Sequence, residues 1–187
     1  MKNKQASIGK IVFVLIGFLA ISLIVFGILV YKFVSNNPDK PFVSKPGISD
    51  IVSENVSVQP EHVQYLLNEM GAYKLHNSPL TSNTPKIELV IDGESFSAEV
   101  VDNKIIIIKE VLENEDIRFI TSKEAIFEAI KSDDIVETFK SSIEMGESNY
   151  EIVGDKKTLF LKGYLSIYEE ITGQKISATA EVINSFK

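Results

Sequence analysis

KIELVIDGESFSAEVVDNKIIIIK, residues 86–109, holds three apolar runs punctuated by Asp92-Gly93 and Asp102-Asn103. A two-residue hairpin turn that matches the twist of its strands needs positive φ at its centre, which Gly, Asn and Asp tolerate best, so Asp-Gly is a strong hairpin signal. The stretch therefore reads as strands over 86–91, 94–101 and 104–109, all antiparallel. In the middle strand Phe96, Ala98 and Val100 alternate with Ser95, Ser97 and Glu99, the pattern of a sheet with one wet side. Ile105 to Ile108 do not alternate, and four consecutive isoleucines predict a strand covered on both faces.

Helical signals flank the meander. Pro60 suits a first helical turn and Gly71 a position just past the end, while Val63, Leu66, Leu67 and Met70 recur at helical spacing. His62 falls off that face, beside Glu61, and reads as a surface residue. After an acidic turn at 113–116, a fourth strand covers 117–121, and Thr121-Ser122-Lys123-Glu124 has the form of a capping box with Thr121 as the cap. The helix it opens turns Ala125, Ile126, Ala129 and Ile130 inward. Asp133 or Asp134 caps the next helix, whose apolar side is Ile135, Val136, Phe139 and Ile143, with Gly146 closing it. A strand over 150–153 follows. From 158 to 172 a strand over 159–161 competes with one helix bearing Phe160, Tyr164, Ile167, Tyr168 and Ile171 on one side. The helix is preferred, with Gly163 as its weak point. The fold class is α+β: a mainly antiparallel sheet of about five strands, helices packed on one face.

Upstream lies a segment of another kind. Residues 11–30, IVFVLIGFLAISLIVFGILV, contain no charge. Twenty helical residues span roughly 30 Å, the thickness of a bilayer's hydrocarbon core, and only a helix satisfies its own backbone there. The run is longer than a signal-peptide core and no small-x-small site follows it, so it reads as an uncleaved anchor, with Ile11, Phe13, Leu15, Phe18, Leu23, Phe26, Leu29 and Val30 facing lipid. Three lysines precede the span and three follow it, so the positive-inside rule discriminates little. The short basic tail favours an N-terminus in the cytoplasm and the large domain outside. The organisation that follows is a basic tail (1–10), a transmembrane helix (11–31), a proline-rich linker (32–49), an α+β domain (50–173) and a C-terminal tail (174–187). Pro38, Pro41 and Pro46 make the linker an extended spacer of up to roughly 45 Å.

Charge and composition narrow the function. Six of the 19 basic and one of the 26 acidic residues precede residue 48, which leaves 13 against 25, a net charge of −12 on the rest. Such a domain is repelled by phosphate backbones, and nucleic acid is not an expected partner. The chain has no cysteine, which excludes disulfides and thiolate chemistry. His62 and His76 belong to no metal or nucleophile motif, and the ten glycines form no phosphate loop. No cofactor, metal or catalytic residue is expected, so the chain is read as a non-enzyme. The aromatic set Phe139, Tyr164 and Tyr168 is either packed core or, with Ile143, the lining of an apolar pocket with phenol groups at its mouth.

Asp116-Ile117-Arg118-Phe119-Ile120-Thr121-Ser122 leading into a helix, and Tyr150-Glu151-Ile152-Val153-Gly154-Asp155 leading into a final helix, resemble two junctions of the sterol carrier protein family. The likeness spans about 86–172, although residues 139–146 lack the family's usual Phe- and Gly-rich pattern. It implies a tunnel between sheet and helices that holds a lipid or acyl chain, without catalysis. Two functions follow: a membrane-tethered binder of an apolar ligand, and a tethered protein-interaction or scaffold module that meets its partner through an acidic surface.

Overall fold

The computed structural model describes residues 21, 22, 24, 38–48, 57–79 and 81–172. The anchor residues Ile11, Phe13, Leu15, Phe18, Leu23, Phe26, Leu29 and Val30 lie outside the described residues, as does the tail from 173 onward. Among the described residues no helix is long and apolar enough to cross a membrane. The chain divides after Pro38, and the unit from Asp39 onward is the one described below.

Its elements run α1 (Pro60–Glu69), a 3-10 turn (Ala72–Lys74), β1 (Lys86–Ile91), β2 (Glu94–Val101), β3 (Lys104–Ile108), β4 (Ile117–Thr121), α2 (Lys123–Lys131), α3 (Ile135–Glu144), β5 (Asn149–Ile152), α4 (Lys156–Leu161) and α5 (Tyr164–Thr172). The five strands form one sheet in the order β3-β2-β1-β4-β5. Three of its four pairings are antiparallel and β1–β4 is parallel. The expected α+β class and mainly antiparallel sheet are both present. Both hairpin turns have the required backbone, with φ of 50° and 86° at Asp92 and Gly93, and 50° and 62° at Asp102 and Asn103.

One face of the sheet carries the core. Ile87, Leu89, Ile91, Phe96, Ala98, Val100, Ile105, Ile117 and Phe119 point there, and α1, α2, α3 and α5 cover them with Val63, Leu66, Leu67, Ile126, Phe127, Ile130, Phe139, Tyr164 and Ile167. The opposite face is polar at its centre. There Arg118 contacts Glu88 at 2.7 Å, Glu151 at 3.2 Å and Glu115. The hydrogen bond to Glu88, then the surrounding carboxylates, push the guanidinium pKa above its ordinary value. The link from β3 back to β4 crosses this face: the Ser97 hydroxyl donates to the Glu110 carbonyl, and Glu115 meets Arg118. That crossover is why Ser97 and Glu88 are buried on what is otherwise the wet side.

Several local expectations change in the folded chain. Ile105–Ile108 is not covered on both faces, because β3 is an edge strand of a one-sided sheet; Ile105 is buried while Ile106 and Ile108 are 47% and 45% exposed. The cap of α2 is Ser122, whose hydroxyl accepts from the Ala125 amide, because Thr121 belongs to β4 and turns its hydroxyl to Ser148. Of the two aspartates before α3, Asp134 is the cap. His62 is buried: its Nδ1 accepts from the Gln59 amide and its ring meets Phe127 edge-on, so it closes the first turn of α1 from inside. The expected helix over 158–172 is two helices, because Gly163 takes a φ of 86° and breaks the axis between α4 and α5. Residues 38–48 have neither helix nor strand, as their prolines dictate. They are fastened to α1 by Lys40–Glu69 at 2.6 Å and by the Asn68 amide donating to the Pro41 carbonyl, and Ile48 packs against the core.

Candidate functional site

The four residues singled out for an apolar pocket all lie where α3 and α5 meet the inner face of the sheet. Phe139 is 1% exposed, and its ring stands edge-on to Phe119 of β4 at 5.9 Å. Ile143, one turn further along α3, is half-buried against the same cluster. Tyr168, on α5, is half-buried and edge-on to Tyr150 of β5 at 6.0 Å. Burial, and then the hydrogen bond with Tyr168, push the Tyr150 phenol pKa up. The inner end, Phe139, is therefore packed core, and the outer end is an aromatic pair at the edge of the sheet.

Tyr164 is also buried, but its hydroxyl is committed elsewhere. It donates to Asp116 Oδ2 at 2.9 Å and lies 3.1 Å from the Lys86 carbonyl. Burial, and then the Asp116 carboxylate, push its pKa well above the ordinary phenol range. Asp116 is the centre of the network. Its carboxylate also accepts from the Lys86 amide at 2.8 Å, and Lys162 Nζ lies 2.8 Å from each carboxylate oxygen. Lys162 donates a further bond to the Thr84 carbonyl at 2.9 Å. The Asp116 carbonyl accepts from the Val153 and Gly154 amides, at 3.0 and 2.9 Å. One side chain and its peptide thus tie the start of β1, the start of β4, the end of β5 and both C-terminal helices together.

Local sequence explains how the pieces arrive there. Asp116 directly precedes β4, and its amide donates to Lys86 in register with the parallel β1–β4 ladder. Gly154 follows β5, and a Cβ there would sit 3.4 Å from the Asp116 backbone and carboxylate and from Leu159, in van der Waals contact. Asp155 then caps α4 by accepting from the Thr158 amide at 2.9 Å. Its hydrogen bonds with Thr158, side chain before backbone, hold its carboxyl below the usual carboxylate range.

An open polar cavity of about 730 Å³ lies beside this network. Ser82, Asn83 and Thr84 form one wall, Asn114, Glu115 and Asp116 another, and Gly154, Asp155, Thr158 and Lys162 a third. None of Phe139, Ile143, Tyr164 and Tyr168 lines it. Its lysines are already engaged, Lys86 with Glu99 and Lys162 with Asp116, and among the described residues no buried side-chain polar atom lacks a partner. No group of three or more metal-ligating side chains occurs among the described residues. Neither the cavity nor the buried pair was expected from sequence. Asp116 opened a recognised strand motif, but Lys162 stood in a segment read as one amphipathic helix, where a lysine signals solvent.

No family model matches the chain. No curated protein matches it either. Among solved structures it is similar to one described as "UbiJ-SCP2 Ubiquinone synthesis protein", at 14% identity over 58% of this chain and 91% of that one, with a TM-score of 0.34.

Proposed function

We propose that this is a single-pass membrane-anchored, non-catalytic protein whose α+β domain binds a lipid or another apolar ligand between sheet and helices. The observation that carries the reading is the junction of α3, α5 and β5: an apolar interior that ends at the sheet edge in half-buried Ile143 and in two tyrosines with adjoining hydroxyls. Apolar walls with a few polar groups at the mouth are the usual make-up of a small-ligand site. The apolar run over 11–30 supports placement beside the bilayer, with the N-terminus in the cytoplasm and the domain outside. Native mass spectrometry of the full chain in lipid nanodiscs tests the reading. A bound mass that survives release from the disc and disappears on organic extraction is the expected result. A clean protein mass after incubation with fatty acids and membrane lipids would sink it.

A tethered protein-interaction module is the second reading, favoured by the net acidity of the domain and by exposed Ile106 and Ile108 on the edge strand β3. Cross-linking in membranes that recovers one partner, lost at high salt, would favour it.

A further inference from the structure

α4 and α5 pack on the core through Leu159, Ile167 and Ile171, and the chain between them is fixed to one carboxylate. Lys162, at the end of α4, reaches Asp116 with both ions about 95% buried, and Tyr164, at the start of α5, donates to the same group. Within residues 155–172 Lys162 is the one buried charge; Lys156, Lys157 and Glu170 are exposed and Glu169 is half-exposed. A buried ion pair is a poor choice if a sealed wall is all that is needed, because apolar groups of similar volume often serve as well or better. An ion pair adds something else when water is close by. The polar cavity of about 730 Å³ is lined by both Asp116 and Lys162, so the two ions can separate into it and be hydrated there. On the other side of the pair lies the apolar layer, reached by the buried ring of Tyr164. Glycines flank α4: Gly154 precedes its cap, and Gly163, at a φ of 86°, joins it to α5.

We propose that the Lys162–Asp116 pair is a latch that holds α4 and α5 closed over the apolar layer, and that its opening towards the polar cavity admits the ligand. The second half rests on the apolar-ligand reading above; the first half does not.

Hydrogen exchange of the full chain, read by mass spectrometry, separates the two. In the wild-type chain the amides of 156–172 exchange together and ahead of those in 60–69 and 86–101. Uniform protection across these segments would overturn the latch. In Lys162→Gln the uncompensated Asp116 turns to the cavity, and exchange over 156–172 rises about tenfold or more while 60–69 and 86–101 stay as they were. Asp116→Asn combined with Lys162→Gln strands no charge: exchange over 156–172 that stays above wild type assigns the closure to the ion pair itself, and a return to wild-type protection would overturn the latch. Exchange that rises equally in every segment would make the pair a general stabiliser and refute the proposal. Uptake of a fluorescent fatty acid supplies the ligand arm, with Lys162→Gln faster than wild type. Selective exchange with no uptake by either protein would leave the latch standing and remove the ligand.

Discussion

Asp155 accepts the Thr158 amide and closes the first turn of α4, a helix of only six residues. Its carboxyl is held below the usual range in the folded chain, chiefly by its hydrogen bonds with Thr158. A depressed folded pKa stabilises the fold above the unfolded value, and that contribution is lost as the pH falls through the folded value. Asp155→Ala is therefore expected to lower stability at pH 7 by about 1 kcal/mol, whereas Asp155→Asn, also a good cap, retains most of it. Denaturant titrations of wild type and Asp155→Ala over a pH series check this. The gap should be constant at neutral pH and narrow below about pH 4. A gap independent of pH would show that the cap does not act through its charge. Phe139 is a different kind of residue, because its ring is enclosed by the sheet and its neighbours. Phe139→Ala is expected to cost about 3–5 kcal/mol by the same titration, a larger loss than the half-buried Ile143→Ala produces. Equal losses would mean that Phe139 borders empty space.

β3 shows how a single element is read from its place in the sheet. Lys104, Ile105, Ile106, Ile107 and Ile108 have the composition of a fully covered strand, yet the strand stands at an edge. Lys104 and Lys109 border it, and Lys109 pairs with Glu94 at 2.6 Å, features that blunt an edge against other chains. Replacing both Ile106 and Ile108 by Thr should leave stability within about 0.5 kcal/mol per site and reduce concentration-dependent association, read by light scattering. Ile105→Thr, on the covered side, should destabilise instead. If the outer pair proved as costly as Ile105, the outer face would be covered in solution. Strand existence, the two hairpin turns and the apolar faces of α1, α2 and α3 were all legible, because turn chemistry and periodicity are local. The parallel partner of β4 was not, since pairing across a crossover leaves no mark in the residues that make it. The break at Gly163 is half legible: a glycine marks the weak point of the helix, but its φ of 86° is a property of the folded chain.

At the scale of the molecule, one face of the sheet is buried under helices and the other carries Arg118 among three carboxylates. The described part of the proline-rich stretch is held to the end of α1 by Lys40–Glu69 and Asn68–Pro41. The proposed anchorage has its own test. The full chain should resist carbonate extraction from membranes, and deletion of 11–30 should release it. Extraction of the intact chain would refute the anchor. In sealed vesicles of known orientation, protease from the outside should remove the domain and spare the N-terminus.

The residues by themselves determined the order of elements as far as β5, the hairpin turns, the one-sided sheet and the apolar segment at 11–30, since these depend on neighbours a few positions apart. Tertiary structure alone decided that β4 lies beside β1, that β3 is an edge, and that Asp116 meets Lys162 and Tyr164. Those partners are 46 and 48 residues apart. A lysine that would be solvated in an isolated helix is buried here because closing α4 and α5 onto the sheet brings a carboxylate to it.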